Sequence, residues 1–195
     1  MAIVTKTSGA ATYIDHENPT AGFGTAGALY ISGLSGKEKH CLIDFGLTGT
    51  TTADLVYGQL KVYVNTNTGG DLVFTVHRVL VGWNEAQATW RVRKSGTVWG
   101  AEGMLADTDY NSVAMGTGTM STAPGWLTVD ITNLAELKAM VAAGTSYGLV
   151  LRYASGENSG GTHIFQSDDG ANPPQLLLYY SSGVGATYLS DFGQA

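Results

Sequence analysis

The chain has 195 residues, 44% of them hydrophobic and only 13% charged, which supplies a core and argues against intrinsic disorder. Ten Lys and Arg against sixteen Asp and Glu leave a net charge of −6 with no basic stripe, so nucleic-acid binding, which needs clustered cations to neutralise phosphates, is not expected. The one cysteine, Cys41, excludes an internal disulfide and any multi-cysteine metal site.

Abundant Gly, Ser and Thr with only 4 Pro point to many short turns between strands, and so to an all-β chain. The predicted elements begin with strands near 11–15, 28–32 and 40–45. Cys41 lies in the last of these, in the apolar run Cys41-Leu42-Ile43, and reads as a buried, inert thiol. Leu60, Val62 and Val64 alternate with Lys61, Tyr63 and Asn65; after a Thr-Gly-Gly turn, Leu72, Phe74 and Val76 alternate in the same way. That pattern predicts a hairpin with one buried face. Between Trp90 and Trp126 the pattern is irregular, and long loops are expected. Further strands fall near 126–131, 147–153, 162–166 and 175–180, about nine in all by periodicity. One short helix is predicted near 133–143, with Asn133 and Glu136 as a capping pair, Leu134, Leu137, Met140 and Val141 on one face and Gly144 as the stop. Residues 1–180 then form an antiparallel two-sheet sandwich of jelly-roll type. The small, polar segment 181–195 is either a frayed tail or a docking arm. No stretch approaches the roughly 20 apolar residues of a membrane helix, and Met1 to Ala10 lacks the apolar region of a secretory signal.

Motifs with catalytic associations do not sit in the contexts their chemistry requires. Gly22-Phe23-Gly24-Thr25-Ala26-Gly27 matches a dinucleotide fingerprint, but a strand follows it where a helix should. Gly144-Thr145-Ser146-Tyr147-Gly148 matches a nucleophile elbow but runs from helix to strand, so Ser146 is not read as a nucleophile. His16, His40, His77 and His163 are scattered without metal-ligand spacing. Asp107, Asp109 and Asn111 alternate like the start of a calcium loop, but Ser112 and Gly118 replace its required glycine and glutamate. Glu85 with Glu102, or Asp168 with Asp169, are the available carboxylate pairs. Trp83, Trp90, Trp99 and Trp126 are either core rings or outward stacking platforms for sugars.

The combination Trp83-Asn84-Glu85, Thr89-Trp90, Trp99-Gly100 with Gly103, and Trp126 leading into Val129-Asp130-Ile131-Thr132 resembles the DNRLRE domain family. Thr12-Tyr13-Ile14, Leu42-Ile43-Asp44-Phe45, Tyr147-Gly148-Leu149, Phe165-Gln166-Ser167 and Pro174-Gln175-Leu176 extend the likeness over residues 11–180. The resemblance implies a non-catalytic jelly roll similar to carbohydrate-binding modules found beside alginate-degrading enzymes, and to virion-surface proteins. Ala11 replaces the acid that precedes Thr-Tyr-Ile in the family. Asp168 and Asp169 match its acidic positions near the end of the pattern and are the expected cation site, for Ca2+.

Two functions follow as expectations. The first is a structural protein on the surface of a phage-like particle, as a capsid decoration or tail-associated protein, with other virion proteins or copies of itself as partners. The alternative is a secreted module that binds an acidic polysaccharide such as alginate, with Trp99 and Tyr110 as its ligand-binding rings. Neither involves catalysis, nucleic acid or a membrane.

Overall fold

The computed structural model describes residues 1–68, 70–143, 147–156 and 163–181. Two antiparallel sheets face each other. The first runs β1 (Ala2–Thr7), β13 (Gln175–Tyr180), β5 (Leu55–Asn67), β12 (His163–Gln166), β3 (Ala28–Tyr30), with β10 (Gly125–Ile131) also paired to β5. Residues 58–61 of β5 pair with both β10 and β13, so these two strands flank it on opposite edges. The second sheet runs β2 (Ala10–Asp15), β4 (Lys39–Asp44), β11 (Leu149–Gly156), β6 (Leu72–Arg78), β9 (Gly116–Met120), and a small hairpin joins β7 (Val92–Lys94) to β8 (Thr97–Val98).

Period-two patterning builds the core. Leu60, Val62 and Val64 from β5 and Leu176 and Leu178 from β13 face Phe74 and Val76 from β6 and Leu149 and Leu151 from β11. Each contributes roughly 1.5–3 kcal/mol by leaving water. Phe74 meets Phe165 of β12 edge to face, ring centroids 5.4 Å apart. Cys41 is fully buried here, and burial pushes its thiol pKa up, as its apolar run predicts. The helix α1 (Leu134–Ala142) is capped by Asn133, whose Oδ1 accepts the Glu136 N–H at 3.2 Å, and buries Leu137, Met140 and Val141 against the core.

Three expectations are corrected. The predicted hairpin is not one: β5 and β6 lie in opposite sheets. Alternation specifies which side chains face the core, and it is the same whether the chain turns back beside itself or crosses the sandwich. Asn67 ties this crossing to the end of β9, donating through Nδ2 to Gly70 O, Met120 O and Ser121 O. The segment between Trp90 and Trp126 holds β7, β8 and β9 as well as loops. β9 escaped notice because it reads Gly-Thr-Gly-Thr-Met: a Cβ at Gly118 would stand 2.4 Å from Phe74 Cζ, and one at Gly116 would stand 2.3 Å from Asp130 O. Two of its three inward positions, Gly116 and Gly118, carry no side chain because neighbours fill that space, and the third is the buried Met120. The third is β1, which lies ahead of the first predicted strand and pairs with β13. The helix stop Gly144, Ser146 and residues 182–195 fall outside the described residues.

Candidate functional site

The two sheets differ in what covers their outer faces. On the second sheet, Ile14, Leu42 and Val150 point outward into a satellite core made with Val79, Ala88, Trp90, Trp99 and Met104, so the segment 79–104 lies across that face. On the first sheet no comparable layer is found among the described residues. Its outward positions follow from alternation: Tyr57, Gln59, Lys61 and Tyr63 on β5, Trp126, Thr128 and Asp130 on β10, and Leu177 and Tyr179 on β13.

Registers bring these side chains into one surface. Trp126 pairs with Tyr63, Thr128 with Lys61 and Asp130 with Gln59 across β10 and β5, and Tyr179 pairs with Tyr57 on the other edge. Trp126 is 42% exposed, its ring T-shaped to Tyr63 at 5.5 Å, with Lys61 Nζ 4.8 Å from its centroid. At the other end of the face Tyr57 O–H and Gln59 Nε2 donate to Asp130 Oδ1, and Tyr179 O–H donates to Gln59 Oε1 at 2.6 Å. The Tyr57 and Gln59 donors hold the Asp130 carboxyl below the usual carboxylate range. The result is an exposed indole beside a cation, continued by a hydrogen-bonded row of Tyr, Gln and Asp. This arrangement offers a flat apolar surface for stacking and polar groups for hydroxyls.

A second group of polar residues lies at one end of the sandwich. Ala10, Asp44, Trp83, Glu85 and Tyr147 line a cavity of about 60 Å³, room for water and not for a sugar ring. Glu85 Oε1 accepts the Ala11 N–H at 2.7 Å. Burial raises its pKa first, and the nearby charges of Asp168 and Asp169 add to the effect. Asp168 is raised by burial and then by Asp169. Glu85 thus joins the expected cation ligands Asp168 and Asp169, yet among the described residues no group of three His, Cys, Asp or Glu is placed to hold a metal ion.

A carbohydrate-binding module family 96 model matches residues 2–180. The chain belongs to that family. What the resemblance to the DNRLRE domain implied about class, a sandwich similar to carbohydrate-binding modules, therefore stands, with family 96 as the family shown. A search of curated proteins finds no match. Carbohydrate-binding modules are typically non-catalytic, and the outer face of the first sheet has no covering layer among the described residues.

The two rings expected to bind ligand, Trp99 and Tyr110, sit in different settings. Trp99 is 2% exposed and its Nε1–H donates to Thr89 O at 2.8 Å; with both ring faces inside the satellite core, no sugar can stack on it. Tyr110 is half-buried, edge-on to His77 at 5.2 Å and under the Arg152 guanidinium at 4.6 Å. The loop oxygens that suggested a calcium turn serve the backbone instead: Asp109, 2% exposed, accepts from the Gly100 and Leu105 N–H groups, Asp107 from Ser112 and Asn111 from Val113. Of the carboxylate pair Glu85 and Glu102, the second is ion-paired to Arg91 at 2.9 Å. Of the dinucleotide-like glycines, Gly24 has a packing origin, since a Cβ there would stand 2.2 Å from Glu85 O, whereas a Cβ at Gly27 would meet nothing within 4 Å.

Proposed function

We propose that the module binds an acidic polysaccharide, such as alginate, along the outer face of β1, β13, β5 and β10, outside the cell or at its surface. The family assignment supports a carbohydrate ligand. The observation that carries the choice of face is Trp126, 42% exposed on the one sheet surface that the 79–104 segment leaves uncovered, with Lys61 against its ring. A pyranose stacked on the indole would have its carboxylate within reach of the Lys61 ammonium, while Gln59, Tyr57 and Tyr179 would meet hydroxyls further along the chain. Lys61 favours uronate at the Trp126 end, and Asp130, already occupied by Tyr57 and Gln59, marks the end where hydroxyls are preferred. Neither the fold nor the family match favours a virion-surface role.

Calorimetric titration with polyuronate and neutral glucan oligosaccharides tests this reading. Trp126→Ala is expected to weaken uronate binding at least about tenfold, in line with the loss of an exposed stacking ring, and Lys61→Gln to weaken polyuronate but not neutral oligosaccharides. Unchanged affinity in Trp126→Ala, or no binding of any uronate, removes the proposal.

A further inference from the structure

On the outer face of the second sheet, Arg152 sits among the rings of His40, His77 and Tyr110. Arg152 on β11 stands one step past the Leu151↔Cys41 pair, which puts it opposite His40 on β4, and it pairs with Thr75 on β6. The alternation that turns Val150 and Leu42 outward turns Arg152 and His40 the same way. One guanidinium N–H donates to Gly103 O at 3.2 Å, and the group lies over the Tyr110 ring. No carboxylate pairs with it among the described residues.

Two histidines are among its polar neighbours. His40 is 5% exposed, lies 5.3 Å from Trp90, and its Nδ1 has no hydrogen-bond partner. His77 is engaged at both nitrogens, with Asn111 O and Thr75 Oγ1 each at 2.9 Å. Desolvation, then the Arg152 charge, pushes His40 well below the usual imidazole range, and burial lowers His77 as well. Arg152 is then the cation of the Arg152, His40 and His77 group. A partly buried cation that forms no ion pair with a carboxylate among the described residues is costly, and a bound anion offsets that cost. A guanidinium offers five coplanar N–H donors, of which Gly103 takes one.

We infer that Arg152 binds a single carboxylate, from a uronic sugar or a small organic acid, with Tyr110 packed against the guanidinium and His40 beside it. A planar monoanion matches both the donor fork and the single charge; a phosphate dianion would leave an unbalanced negative charge among the rings. The site lies on the opposite sheet from Trp126 and does not depend on the reading of that face.

The test is an NMR titration of the full chain with acetate, with glucuronate and with the methyl ester of glucuronate, following the Tyr110, His40 and Trp90 ring resonances. Saturable shifts with an acid and none with the ester are expected. A response to glucuronate alone assigns a sugar acid, and an equal response to acetate assigns the carboxylate group itself. Arg152→Gln should abolish saturation. Arg152→Lys, which keeps the charge and stem but loses the fork, should weaken binding about tenfold and serves as the readout if the glutamine variant does not fold. No saturation with either acid, equal shifts with the ester, or unchanged affinity in Arg152→Lys would overturn the inference.

Discussion

Trp126 and Trp99 are the same residue type in opposite settings, and their alanine variants should separate cleanly. Trp99→Ala leaves a cavity in the satellite core and an unmet Thr89 carbonyl, so denaturant unfolding should show a loss of about 3–5 kcal/mol. Trp126→Ala removes a ring that is 42% exposed and should cost under about 1 kcal/mol while removing ligand affinity. Two carboxylates should likewise respond to pH with opposite signs. Burial raises the Asp15 pKa, but Lys39 at 2.6 Å, Asn18 Nδ2 and the Glu17 N–H outweigh it and hold the carboxyl below its usual range. Its stabilisation is therefore complete above the unfolded value of about 3.9 and is lost as pH falls through the folded value; Asp15→Asn should flatten that acid limb in thermal melts. Asp168 is shifted upward by burial and then by Asp169, so its charged form is the one the fold disfavours. Asp168→Asn should raise the melting temperature at pH 7, and the gain should vanish near pH 4. The outward direction of Trp126, Lys61 and Tyr63 was legible in the sequence, since Leu60 and Val62, and Val129 and Ile131, claim the inward positions beside them. What was not legible is that Trp99 is covered: its partners Ile14, Leu42 and Val150 lie far away in sequence, and no periodicity links them.

At the scale of elements, β9 is the strand whose existence depends on absent side chains. Gly118→Val would force a branched side chain into Phe74 and should destabilise the protein by about 1–3 kcal/mol in chemical unfolding, whereas Thr119→Val, at an exposed position of the same strand, should change it by under about 0.5 kcal/mol. This strand shows why part of the architecture could not be read directly. Strands such as 175–180 announce themselves through Leu176 and Leu178, but a strand that fits under a neighbour's ring reads as loop. The helix is the opposite case: Asn133, Glu136, Leu137, Met140 and Val141 carry cap and buried face within a few residues, so local sequence sufficed. Partner choice was the other loss. Two alternating runs joined by a glycine turn look alike as a hairpin and as a crossing between sheets, and what distinguishes them is that β5 pairs with β10, β12 and β13 while β6 pairs with β9 and β11, all remote in sequence.

For the whole molecule, the segment 79–104 makes the sandwich asymmetric. It closes one outer face with its own small core, whereas no comparable layer covers the other among the described residues, and the proposed carbohydrate surface is that other face, with its indole, lysine and half-buried tyrosines. The most direct measurement is a backbone-amide and indole NMR titration of the intact chain with a uronate oligosaccharide. The account predicts shifts concentrated on Trp126, Tyr63, Lys61 and the neighbouring amides of β5, β10 and β13, with Trp99 unmoved. Shifts confined to the Trp83 and Tyr147 end, or no shifts on β5 and β10 at saturating ligand, would contradict it.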